Sequence, residues 1–413
     1  MSAIKIARKE NSTALIAEWA KEKIKITSSR LGEHQDGLKG EILIQSTNPK
    51  DGHIHQAAFN FSSSMTRKKL ADDLSKRIAG IAWDEILEQL CFHVTKIFRT
   101  GQEVVMISST DEEAIPPQYI VHPLILKKEI NMIYGEGGVG KSALSLFLAA
   151  IGSCFGDWDN IGHKLGLERI QPFKTLVLDW ETHQDAVRWR WKQIISGIGA
   201  TGEGFFIEYR QCGVPLADDL EAIQTAISDK KPGLVIIDSV GAAAGGDINT
   251  QQVATEFMNA VRALDITTLL IHHTAKSNNG KPTPFGSVYF TNASRNIWQI
   301  ERTQKEADNK IQVGLFHVKA NYSEKFNPIG LEIEFSDTAT KFSSVDPKEI
   351  PDFKEKLPVI QRIMLAIEEK NGAASKDEIS AITSLPEDVV VNVLKGNNLV
   401  FVGSKNDIWR LVK

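Results

Sequence analysis

The chain has 413 residues, enough for two or three domains. Hydrophobic residues make up 42% and charged residues 24%, the balance of a soluble globular protein, which excludes wholesale disorder. A formal net charge of −4 excludes a generally basic, nucleic-acid-coating protein but leaves room for a local basic channel.

Cys91, Cys154 and Cys212 are far apart and no pair has CxxC spacing. An odd number at such spacing argues against a disulfide framework or a zinc ribbon. Buried free thiols in a reducing cytosol are the expectation, and with it a cytoplasmic location. The opening MSAIKIARKENSTAL lacks the apolar core of a signal peptide. The longest apolar stretch, 143–155, is too short to span a bilayer and reads as a buried helix, so no membrane partner is expected.

Residues 1–120 read as a small α+β domain. A helical pattern runs from Ser12 to Ile24, with Leu15, Ile16 and Trp19 on one face. Two strands follow at 41–45 and 55–61, separated by the turn-rich 48–52. Helices are expected at 65–77 and 83–96, and TDEEAIPP at 110–117 reads as a linker. His53, His55 and His93 are too scattered for a metal site. Met65-Thr-Arg67-Lys68-Lys69 is a short basic cluster that could contact DNA, but a charge run is usually a solvated face, so oligomerisation or partner recruitment is the expected role of this segment.

Residues 121–345 alternate strands with helices or long loops. The strand candidates are 130–134, 175–179, 205–208, 234–238, 267–271, 296–300 and 311–318. Short, nearly continuous apolar runs suit a mostly parallel central sheet covered on both faces, which gives an α/β fold with right-handed crossovers.

Within this segment Gly135-Glu136-Gly137-Gly138-Val139-Gly140-Lys141-Ser142 satisfies GxxxxGK[ST]. A strand runs into it and an apolar helix starting near Ala143 runs out, so these nine residues are the candidate nucleotide contacts. Glycines let successive backbone N–H groups face phosphate oxygens, and the helix N-terminus adds partial positive charge. Lys141 is expected on the β- and γ-phosphates of ATP, and Ser142 on Mg²⁺. Asp238, at the tip of a buried strand, is a candidate to hold that Mg²⁺ through water. Glu181, just past a strand end, is placed to polarise an attacking water; Asp179 is its rival, with an orienting role the better fit. His272 and His273 alternate to opposite faces, so one of them could contact the γ-phosphate.

Residues 351–413 show three helices, 357–370, 375–382 and 386–396. Strands at 399–402 and 408–412 flank a turn at 403–406. That is a winged-helix-like pattern. Glu387 and Asp388 open the would-be recognition helix and would be repelled by phosphates, so protein contact or ring packing fits at least as well.

The ordered series is P-loop lysine, acid-Trp-Glu, the Asp238 strand, His-His-Thr-x-Lys, Gly286-Ser-Val…Asn292-Ala-Ser-Arg295 and Val318-Lys-Ala-Asn-Tyr322. It resembles the plasmid RepA-type helicases and related AAA-labelled ATPases of phages and mobile elements, over roughly residues 121–335. That resemblance implies a RecA-like core, with Glu181 as catalytic base, Asp238 as the Walker B acid and His273 on the γ-phosphate. It also implies that Arg295 is an arginine finger reaching into a neighbouring subunit, with Lys319 a further basic residue near that interface. A homo-oligomeric, hexameric ring acting on single-stranded DNA is therefore expected. A replication or loading partner could dock on the N- or C-terminal domain. Two loops, 241–249 and 276–285, would face the channel, the second carrying Lys276 and Lys281; a mobile surface loop with incidental lysines is the competing reading. Two other functions stay open: a DNA-binding ATPase that does not unwind, as recombinases or loaders are, and a regulatory switch with protein partners only.

Overall fold

The computed structural model describes residues 4–8, 14–48, 52–101, 104–109, 115–153, 161–200, 204–274, 283–303, 309–398, 400–403 and 407–412. They form two compact units. One gathers Met1–Pro116 with Val214–Lys231 and Glu256–Asp265; the other gathers Pro117–Gly213, Pro232–Thr255 and Ile266–Lys413.

The first unit opens with an antiparallel sheet, β1 (Lys5–Arg8), β2 (Leu15–Trp19), β3 (Ile24–His34), β4 (Gly37–Ser46) and β5 (His53–Asn60), in sequential order. Helices α1 (Ser64–Arg77) and α2 (Trp83–Thr100) follow. The helix expected over 12–24 is instead β2 and the start of β3, with Ser12 outside the described residues. Leu15, Ala17 and Trp19 are buried while Ile16 and Glu18 are half-buried, a strand alternation that the small Ala17 conceals in the sequence. Trp19 and Trp83 anchor this unit's core, and Ser63 caps α1 by accepting from the Thr66 N–H.

In the second unit β6 (Tyr119–His122) and β7 (Ile125–Leu126) lead into β8 (Ile130–Gly135) and α3 (Lys141–Ser153). Next come β9 (Glu168–Arg169), β10 (Thr175–Asp179), α4 (Gln184–Gly197) and β11 (Glu208–Gln211). β12 (Leu234–Asp238), α6 (Val240–Ala243) and β13 (Thr268–His273) follow, then α8 (Val288–Ala293) and β14 (Asn296–Thr303); α5 (Leu220–Lys230), which precedes β12 in sequence, and the C-terminal part of α7 (Gln251–Ala263), which precedes β13, belong to the first unit. The chain then turns back and forth through β15 (Lys310–Ala320), β16 (Ile329–Phe335) and β17 (Thr340–Val345). Among the described residues the large sheet has the order β11-β10-β12-β13-β8-β14-β15-β16-β17. It is mixed: parallel from β11 to β14, antiparallel from β14 to β17. β10 and β12 are buried at every position, as the unbroken apolar runs require, and α3 packs on the sheet over β8, β10 and β13, with Leu144, Phe147 and Leu148 in the shared core. The strand expected at 205–208 is displaced to β11, whose polar Glu-Tyr-Arg-Gln suits an exposed edge.

The end of this sheet where β8 and β14 begin is fixed by a buried polar network. Asn131 Nδ2 donates to the Leu126 carbonyl at 2.9 Å, and Asn131 Oδ1 accepts from the Leu126 N–H at 2.7 Å. Asn296 Nδ2 donates to Leu124 O at 2.7 Å and to Asn131 Oδ1 at 3.1 Å. His317 Nδ1 accepts from the Phe326 N–H at 3.0 Å, which leaves Nε2 as the protonated nitrogen donating to Asn296 Oδ1 at 2.8 Å.

The chain ends in α9 (Val359–Glu369), β18 (Ala374–Ser375), α10 (Lys376–Thr383), α11 (Glu387–Gly396), β19 (Phe401–Gly403) and β20 (Ile408–Leu411). The short strands pair as β18-β20-β19 around a core that includes Ile363, Ile367, Val390, Leu394 and Phe401. Ser375 and Glu378 form a reciprocal capping box on α10.

Candidate nucleotide site

Parallel pairing brings the carboxyl ends of four strands to one edge. Asp179 of β10 stands opposite Asp238 of β12, Asp238 opposite Ile271 of β13, and His273 opposite Gly135 of β8. Ligand sites of open α/β sheets form at this edge. Four separated sequence motifs thus converge through register alone.

The loop from Gly135 to Gly140 leaves β8 and enters α3 at Lys141. Gly135 must lack a side chain, since a Cβ there would lie 2.4 Å from the Ile300 carbonyl of β14. The Lys141 ammonium is buried, donates to Gly135 O at 2.9 Å and Glu136 O at 2.6 Å, and lies 3.5 Å from His273 Nδ1. Burial lowers its pKa, against the pull of Asp238, Glu181 and Glu136.

Asp179 is buried, and its Oδ1 accepts from the N–H groups of Glu181 at 2.8 Å and Thr182 at 2.8 Å. It shapes the turn that presents Glu181. Glu181 Oε1 accepts from the Ser239 hydroxyl and lies 3.7 Å from His273 Nε2. Its carboxyl is held down to about 2, chiefly by His273, with Ser239 and Lys141 assisting against desolvation. Asp238 is pushed up to about 6 by burial, partly offset by the Ser142 hydroxyl hydrogen-bonded to it. His272 is fully buried beside Phe290, and burial brings its imidazole down to about 4. The two histidines therefore divide the work: His272 packs inside, and His273 bridges Lys141 and Glu181.

Arg295 and Lys319 lie elsewhere. The Arg295 N–H donates to Ile130 O at 2.9 Å, at the start of β8, and the P-loop begins at its far end. Five residues of strand, about 16 Å, separate the two. Lys319 Nζ donates to the carbonyls of Thr291 at 2.8 Å, Asn292 at 3.1 Å and Ser294 at 2.8 Å, closing the last turn of α8 next to Arg295. Its pKa is lowered by burial and by the Arg295 charge.

Lys276 and Lys281 lie outside the described residues, as does Cys154. The segment holding the two lysines is rooted at the site: Thr274 bridges Pro284, and the Phe285 N–H donates to His273 O at 2.8 Å. In the other loop, Asp247 Oδ1 accepts from the Asn249 N–H at 3.0 Å and its Nδ2 at 2.8 Å. Cys91 and Cys212 are buried free thiols, and no helix among the described residues is long and apolar enough to cross a membrane.

Two contacts were not anticipated from sequence. Ser239, one residue past Asp238, reaches Glu181, and Arg302 Nη1 donates to the Gly138 carbonyl at 2.7 Å. Neither follows a sequence spacing, because both depend on the register of strands brought together from distant segments.

Residues 99–279 match the family model described as an AAA domain. No curated protein matches the chain. The matched segment contains the P-loop, Glu181, Asp238 and His273, and the chain carries a P-loop ATPase domain of the nucleotide-binding α/β class.

Proposed function

We propose that this protein is a ring-forming ATPase that moves along or unwinds single-stranded DNA in the replication of a mobile element or phage. The observation that carries the reading is the split between a clustered Lys141, His273 and Glu181 and an Arg295 at the opposite end of the same sheet. An arginine so far from its own P-loop suits a finger supplied to the site of a neighbouring copy.

In this reading Lys141 leaves its loop carbonyls for the β- and γ-phosphates of ATP. Ser142 and Asp238 offer hard oxygen donors at the phosphate side, and burial disfavours the Asp238 charge until a cation balances it, so the pair fits Mg²⁺. When bound, that ion would neutralise charge on the β- and γ-phosphates. Glu181 is ionised at neutral pH and too weak a base to hold a proton for long. It works by accepting a hydrogen bond from the attacking water and aiming its lone pair at the γ-phosphorus. As the bond to the β-phosphate oxygen breaks, the water's proton ends on the released phosphate. His273, between Lys141 and Glu181, registers whether the γ-phosphate is present. Its carbonyl, bonded to Phe285, ties that state to the segment carrying Lys276 and Lys281, the candidate DNA contacts.

The test is steady-state ATPase activity with and without single-stranded DNA, with native mass measured on the same sample. Strong stimulation from a ring-sized species supports the translocase. Turnover indifferent to DNA from a monomer or dimer would replace it with a regulatory switch.

A further inference from the structure

β14 outruns β8. Gln299 pairs with Tyr134, Ile300 lies against Gly135, and the strand continues to Thr303 alongside the phosphate loop. Alternation sends Gln299 and Glu301 to one face and Ile300 and Arg302 to the other. On the first face Tyr134 Oη donates to Gln299 Oε1 at 3.2 Å, and Glu301 is taken up by Lys356. On the second, Arg302 makes no ion pair among the described residues and spends its guanidinium on the Gly138 carbonyl at 2.7 Å.

That carbonyl belongs to the peptide plane shared with the Val139 N–H. In a trans peptide the two dipoles point in opposite directions, so holding the carbonyl outward holds the N–H inward. Gly138 has φ +73°, a left-handed conformation with little intrinsic preference between orientations of this plane. Lys141 holds the Gly135 and Glu136 carbonyls in the same way from within the loop. Arg302 acts from outside, and unlike Lys141 it need not let go when phosphate arrives.

We infer that Arg302 is a positioning residue for nucleotide binding: it fixes the Gly138–Val139 peptide so that the Val139 N–H faces the phosphates of a nucleoside di- or triphosphate. The inference rests on the nucleotide site but on neither the ring nor DNA. It places the effect of Arg302 in affinity rather than in the chemical step.

The experiment titrates the full chain with a fluorescent ADP analogue and measures ATPase KM and kcat for wild type, Arg302→Ala, Arg302→Lys and Lys141→Ala. A hydrogen bond from a charged donor sets the scale at about tenfold. Arg302→Ala is expected to bind ADP about tenfold more weakly and to raise KM by a similar factor, with kcat at saturating ATP changed less than about twofold. Arg302→Lys, which can still reach the carbonyl with a single donor, is expected to recover part of the loss. Thermal midpoints keep the comparison to folded protein, and Arg302→Gln stands in if the alanine variant fails to fold. Wild-type affinity in Arg302→Ala overturns the inference. A fall in kcat at unchanged affinity overturns it too, since the guanidinium would then be acting on the transition state. Loss of binding in Lys141→Ala alone leaves the nucleotide site standing and removes only Arg302; wild-type binding in both removes the site assignment itself.

Discussion

At the scale of single residues, the site is a chain of contacts from Lys141 through His273 to Glu181 and Ser239. Glu181→Gln keeps the shape and removes the charge that holds the water. Turnover should fall by about 10²–10⁴ with ATP binding retained, read by single-turnover hydrolysis beside an ADP titration. A larger loss in Asp179→Asn than in Glu181→Gln would reverse the two acids. The hydrogen bonds of Asp179 to the backbone of Glu181 and Thr182 argue for the present order. Two histidines set a pH dependence of stability. Burial lowers both His272 and His317 to about 4, below the ordinary imidazole value. At these two sites the unfolded chain binds more protons than the folded one between about pH 6.5 and pH 4, so their contribution to stability is full above that window and is lost through it, opposed in part by Asp238, whose raised carboxyl takes up its proton in the folded state first. The slope is about 1.4 kcal/mol per pH unit for each site. His317→Gln should flatten the pH dependence of the urea midpoint across this window; an unchanged slope would remove His317 as a contributor.

At the scale of elements, the buried asparagines locate the start of β8 and β14 and hence Arg295 beside Ile130. Asn131→Leu leaves the Leu126 amide and carbonyl without their buried side-chain partner and takes one of its two acceptors from Asn296 Nδ2. A loss of several kcal/mol in unfolding free energy is expected by denaturant titration, since each orphaned group costs about 1–3 kcal/mol. Elements were legible in the sequence where one physical signal dominated. β10 and β12 have the boundaries their unbroken apolar runs imply, and α2 buries Trp83, Ile86, Leu87, Leu90 and Val94 at helical spacing. β2 was not legible, because Leu15, Ile16 and Trp19 fit a helical face as well as Leu15, Ala17 and Trp19 fit a strand. β11 was misplaced because an edge strand needs no apolar run, and the neighbouring Phe-Phe-Ile supplied a false one. In the candidate site, Gly135–Ser142 announced themselves by local chemistry. The Ser239–Glu181 and Arg302–Gly138 contacts did not, since both arise from tertiary register.

At the scale of the whole molecule, the proposed ring makes Arg295 the residue to test. Arg295→Ala should leave ADP affinity unchanged and cut turnover by about 10³ or more if the arginine serves a neighbouring site. Mixed with wild type, it should depress activity more than in proportion to its share. A strictly proportional loss would assign the arginine a structural place within its own chain. The C-terminal helices and short strands have their own apolar core, and Leu394→Ala should cost about 2–5 kcal/mol by denaturant titration.

The order of strands also bears on when the phosphate loop becomes competent during synthesis. β8 lies between β13 and β14, whose residues follow it by well over a hundred positions. A nascent chain that has presented Gly135–Ser142 to solvent still lacks both flanking strands, and the Ile300 carbonyl against which Gly135 packs has yet to be made. The contacts that shape the loop are among the most non-local in the chain, and such contacts form late. Nucleotide capture should therefore appear abruptly, once the ribosome has released the chain past β14, and truncated products should be blind to ATP despite carrying the entire motif.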